Sequence, residues 1–115
     1  MFQAVIEAHQ EVIQRVVKSS RGDVVSCDFP PGSGIITALT NGLPDYGLEM
    51  AEVRACNIAD MGETAFVELM NEIRLSDQIL VIWGLKHEDR RLAAMVYMNV
   101  KECFTKMGGR AVLVN

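Results

Sequence analysis

The run Ile79-Leu80-Val81-Ile82-Trp83 most narrows what this chain can fold into. Side chains of a strand alternate between two faces, so five apolar residues in a row need cover on both. Residues 88–107 follow with helical spacing: Leu92, Met95, Val96, Val100, Cys103, Phe104 and Met107 form a wide apolar stripe, and Gly108-Gly109 ends it. Ala111-Val112-Leu113-Val114 is a second buried strand. Strand, helix and strand with short connections predict a right-handed βαβ unit with parallel strands.

Residues 2–18 place Phe2, Val5, Ile6, His9, Val12, Ile13, Val16 and Val17 at three- and four-residue spacing, which predicts an amphipathic helix. A strand is expected over Asp23–Phe29, and Pro30-Pro31-Gly32-Ser33-Gly34 suits only a loop. Ile35–Thr40 is open to two readings. Its β-branched residues suit the return strand of an antiparallel hairpin over 23–40, which makes the class α+β. As a helix ending at Asn41-Gly42 it makes the whole chain alternate, and that consistency favours an α/β sandwich. Leu43–Leu48 is a turn region. A half-buried or edge strand is expected over Glu49–Cys56, with Ala51, Val53 and Ala55 facing inward. Asp60 and Glu63 have capping-box spacing ahead of a helix striped by Phe66, Leu69, Met70 and Ile73. The expected fold is one α/β domain over residues 1–115, a mostly parallel sheet of four or five strands flanked by helices. The second strand and the terminal strand are its expected edges.

Composition then excludes several classes. With 115 residues, half of them hydrophobic and 23% charged, the chain is too apolar for a disordered tail. The net charge of −4 argues against nucleic acid or an anionic membrane as main partner, and the only adjacent bases that hint at a local basic patch are Arg90-Arg91. The acids concentrate: residues 45–77 hold eight acids against Arg54 and Arg74, so the rest of the chain is slightly basic. No apolar run approaches a membrane span, and Met1-Phe2-Gln3-Ala4 with Glu7 behind it does not read as a secretory signal. Cys27, Cys56 and Cys103 form neither a disulfide framework nor a zinc pattern, so a reducing cytoplasm is the expected compartment.

Residues 23–34 carry the most distinctive local pattern, a strand that ends in Asp28 and runs into Pro30-Pro31-Gly32-Ser33-Gly34. This segment resembles the Asp-x-Pro-Pro-Gly stretch of partition-type and iron–sulfur-carrier P-loop ATPases. That resemblance implies an acid acting near magnesium and glycines that allow close approach to phosphate. The same loop faintly resembles a Walker A loop. A working P-loop needs lysine after the last glycine and then Ser or Thr for magnesium. Ile35 and Ile36 hold those places, and the ATPases' separate phosphate loop is not found elsewhere in the chain. ATP hydrolysis by this chain alone is therefore not expected.

Gly84–Arg91 follows the central strand and opens the long helix. Ligands of open α/β sheets bind beyond the carboxyl ends of strands, where helix N-termini favour anions. Lys86, His87 and Arg90 are therefore candidates for holding a small anion, together with Asp28, Gly32, Ser33 and Gly34. Parallel strands would bring Asp28, Asn57 and His87 to one edge. His9 reads as a core-edge residue, Cys27 as a buried thiol, and neither a metal site nor a cofactor is called for. Met95, Tyr97 and Met98 give the last helix more apolar faces than one core needs, which marks them as candidates for partner contact. Two functions are expected on these grounds. The first is a non-enzymatic interaction or regulatory protein that associates with itself or another protein, such as a homodimer. The alternative is a phosphate- or nucleotide-binding domain with a degenerate P-loop-like turn.

Overall fold

The computed structural model describes residues 2–30, 32–85 and 90–114, without the side chains of Phe2 and Val5. Among the described residues, five helices and four strands follow one another, with two helices in succession between the second and third strands. They are α1 (Phe2–Lys18), β1 (Val24–Cys27), α2 (Ile35–Gly42), β2 (Glu49–Arg54), α3 (Ala55–Asp60), α4 (Glu63–Leu75), β3 (Gln78–Trp83), α5 (Arg90–Met107) and β4 (Arg110–Val114). A 3-10 turn over Leu43–Tyr46 links α2 to β2. All strands are parallel, in the order β1-β4-β3-β2. The class is α/β, with helices on both sides of the sheet.

Side-chain alternation sorts the apolar residues into two layers. Ile79 and Val81 of β3 join Val25, Cys27, Val112 and Val114 beneath α1 and α2, which contribute Val12, Ile13, Val16, Ile35 and Leu39. Leu80 and Ile82 point the other way, with Ala111 and Leu113, into Ile58 of α3, Met70 and Ile73 of α4, and Val96, Val100 and Phe104 of α5. Each Val, Leu, Ile, Met or Phe side chain among them, fully buried, contributes roughly 1.5–3 kcal/mol of transfer free energy. This is why β3 is apolar throughout and why α1 and α5 keep one polar face each.

The helical reading of Ile35–Thr40 holds, and the antiparallel hairpin does not form. Ile35 and Leu39 are buried on one side of the sheet while Thr37 between them is exposed; a strand would turn all three to one face, and a helix separates them. Three expectations are corrected. β2 stops at Arg54, and Ala55 opens the short helix α3, because Ala55 and Ile58 at helical spacing both bury against the sheet. Asp60 closes α3 and caps nothing; Met61 and Gly62 are extended, and Gly62 is the N-cap of α4 with no side-chain bond. The terminal strand β4 is interior, flanked by β1 and β3, and the edges are β1 and β2. At the end of α5, Gly108 takes φ 82° and donates its N–H to the Phe104 carbonyl at 2.7 Å, the stop expected of Gly108-Gly109.

Candidate functional site at the carboxyl edge of the sheet

Because every strand runs the same way, the segments after β1, β2 and β3 leave from one edge. β1 leads through Asp28 and the glycine loop into α2, the strand–loop–helix order of a phosphate loop. Gly32 and Gly34 hold φ of 76° and 78°, which glycine alone adopts without strain, and a Cβ on either would meet open space. Ser33 donates its N–H to the Pro30 carbonyl at 3.2 Å, closing the turn. Gly34 caps α2 without any side-chain bond, so the first N–H groups of α2 have no capping side chain.

A concavity of about 300 Å³ opens here. Gly32, Ser33, Gly34 and Thr37 line one side, and Trp83, Gly84 and Val114 line the other. Asp28 is exposed at the end of β1 and lies outside these walls. Ile35 is 4% exposed and belongs to the core between α2 and the sheet, while Ile36 is half-buried at the rim. The lysine and hydroxyl positions of a working phosphate loop are thus filled by hydrocarbon, one of them turned inward. β3 ends in Trp83 and Gly84, with no carboxylate at the strand end.

Lys86 and His87 lie outside the described residues. Arg90 opens α5 and is exposed; Asn57 sits exposed on α3 beside Cys56. The structure therefore brings Gly32, Ser33 and Gly34 together with Trp83, Gly84 and Val114. It does not gather Asp28, Asn57 and Arg90 around the same cavity. Trp83, Thr37 and Arg54 were missed from the sequence. Arg54 lies over the Trp83 ring, 4.8 Å from its centroid. The available signal was that Trp83 ends the apolar run Ile79–Trp83, next to Gly84.

The α5 candidates divide between two surfaces. Met95, 43% exposed, lines a groove of about 560 Å³ between α4 and α5, along with Met61, Phe66, Val67 and Met107. Tyr97 turns toward α1 and β1 beside Lys101. Met98, between them, is 66% exposed. His9 is half-buried with its ring 5.4 Å from that of Phe29. Burial pushes the Cys27 thiol pKa up, partly offset by Arg15. Burial also raises that of Cys103, with Lys106 opposing and Glu102 adding to the shift. Among the described residues no group of three or more His, Cys, Asp or Glu is placed to hold a metal ion, and no helix is long and apolar enough to cross a membrane.

No family model and no curated protein matches this sequence. A solved structure of similar fold is that of the replication initiator DnaA bound to AMPPCP and single-stranded DNA. It superposes with a TM-score of 0.58 at 12% identity, covering 95% of this chain and 36% of that one. The chain thus spans about a third of that protein's length, and the likeness is one of fold.

Proposed function

We propose that this chain is a non-enzymatic interaction or regulatory domain, built on a nucleotide-hydrolase-like α/β scaffold, that associates with a second copy of itself. One observation carries the reading. The glycine loop enters α2 where a phosphate loop would, yet Ile35 is 4% exposed inside the core in the lysine position. Phosphoryl transfer depends on positioned cations and metal-holding groups around the phosphates, and hydrocarbon supplies neither. The α4–α5 groove supports the association. Its floor of Phe66, Val67 and Met95 is apolar, and Glu63, Glu102 and Lys106 rim it with both signs of charge. A surface carrying both signs can complement itself across a two-fold axis.

A second reading has its own support: the uncapped first turn of α2 and the open glycines suit a bound anion without turnover. The initiator of similar fold was solved with AMPPCP, which makes ATP the natural probe. Phosphate release and thermal melts with Mg-ATP separate the readings. The interaction reading expects no phosphate release above a protein-free blank and an unchanged melting temperature. A ligand at a hundred times its Kd would add about 2.7 kcal/mol and raise the melting temperature by several degrees. Such a shift without phosphate release would put the anion reading in front, and phosphate release would overturn both.

A further inference from the structure

The edge strand β1 lies at the bottom of a slot that the sequence did not disclose. α1 packs on one side of the sheet and α5 on the other, and both extend to the β1 edge. Between them is a cavity of about 730 Å³. Val24 and Val25 form its floor, Arg15 and Lys18 of α1 one wall, and Tyr97 and Lys101 of α5 the other.

Two properties define what fits. The first is main-chain polarity. The Asp23 carbonyl accepts the Ala111 N–H at 3.3 Å. N–H and C=O groups alternate in direction along a strand, so Val24 and Ser26 turn theirs away from β4, Val24 into the slot and Ser26 farther along the same edge. Among the described residues no strand pairs with that side of β1. The second is charge. Arg15, Lys18 and Lys101 are exposed and have no ion pair among the described residues. Arg21 is paired with Asp77, and Asp23 accepts the Ser20 N–H at 2.7 Å. Lys101 sits 5.7 Å from the Tyr97 ring centroid, held toward the slot. A chain of net charge −4 thus presents a basic channel along an unpaired strand edge.

We propose that this slot binds an extended acidic peptide, which adds to the sheet as a fifth strand beside β1. An added strand sits about 4.8 Å from its neighbour and takes its main-chain bonds from the edge. Its side chains would alternate between the α1 wall and the α5 wall. Acids facing one way meet Arg15 and Lys18, and acids facing the other way meet Lys101. The unsatisfied backbone groups favour a peptide over single-stranded nucleic acid, which would use the cations but not the strand edge. The slot is distinct from the α4–α5 groove, so either surface can fail without the other.

The test is fluorescence anisotropy with a short fluorescein-labelled peptide of Glu-Glu-Val-Val repeats, which as a strand carries acids on both faces. Controls are the Lys-for-Glu peptide, the acidic peptide N-methylated along one edge, and labelled oligothymidylate. The acidic peptide is expected to bind more weakly as salt rises, and Lys18→Glu or Lys101→Glu to raise its Kd by about tenfold or more. Both lysines are exposed, so the melting temperatures of the variants should stay near that of the wild type. Absence of binding, equal binding of the lysine peptide, or indifference to both variants would overturn the proposal. Equal binding of the N-methylated peptide would remove strand addition, and tighter binding of oligothymidylate would reassign the slot to nucleic acid. If, without peptide, mass grew with concentration and Lys101→Glu abolished it, the acidic β2 edge of a second copy would be the occupant, and the peptide proposal would fall.

Discussion

Arg54 lays its guanidinium over Trp83, 4.8 Å from the ring centroid, because the parallel register sets these last residues of β2 and β3 side by side. Arg54 is exposed and Trp83 half-buried. Such a contact at an accessible site contributes about 0.5–1 kcal/mol. Arg54→Ala should therefore change the unfolding free energy by less than about 1 kcal/mol. Trp83 is the only tryptophan, so its emission should shift in that variant. The same emission reports on the cavity beside Gly34, and Mg-ATP should leave it unchanged.

Ile35 separates a structural from a ligand-binding loop. It is 4% exposed and packs with the core between α2 and the sheet. Ile35→Ala should destabilise by about 2–5 kcal/mol, the range for deleting a buried branched side chain. Urea unfolding measures this directly. A loss below about 0.5 kcal/mol, the surface range, would mean that Ile35 is not a core residue.

The buried Cys27 thiol and the half-buried Cys103 thiol give a pH dependence of definite sign. Burial raises the pKa of both Cys27 and Cys103 in the folded chain. The unfolded chain then loses these protons first, and above about pH 8.5 the native state binds more protons than the unfolded one. Their contribution to stability is full below that pH and falls as pH rises toward the folded pKa values. Melts from pH 7 to 10 should show a decline that is smaller in a Cys27→Ala/Cys103→Ala double variant than in the wild type. Equal declines would contradict the assignment.

Gly109 is required by Phe104. A Cβ at position 109 would lie 2.5 Å from two atoms of the Phe104 ring, which is fully buried. That ring anchors α5 to the sheet and cannot swing aside without opening the core. Gly109→Ala should destabilise by about 1–3 kcal/mol through overpacking. Gly62→Ala, where a Cβ meets nothing within 4 Å, is the matched control and should be close to neutral in the same melt.

The elements with strong periodicity were legible: α1, β3, α5 and β4 follow from apolar spacing alone. The α2 reading needed topology, because Ile35–Thr40 has strand-like composition and only the alternation of the chain favoured a helix. α3 was hidden because Glu52-Val53-Arg54-Ala55 continues a strand alternation into what is a helix of six residues. Asp60 and Glu63 imitate a capping box that the extended Met61-Gly62 link prevents. The interior place of β4 is a matter of strand order, which local pattern does not encode. Of the candidate site, the glycine loop was legible from composition and its dead end at Ile35 from motif chemistry. The facing Trp83 and the basic slot join residues distant in sequence, and only the folded sheet brings them together.

The most direct test of the central claim is the solution mass, by light scattering, of wild type and Met95→Glu across a range of concentrations. The account predicts a wild-type mass rising to twice 12.7 kDa and a variant that stays at 12.7 kDa while melting within a few degrees of wild type. A wild type that stays at 12.7 kDa throughout, or a Met95→Glu variant that associates as well as wild type, would contradict it.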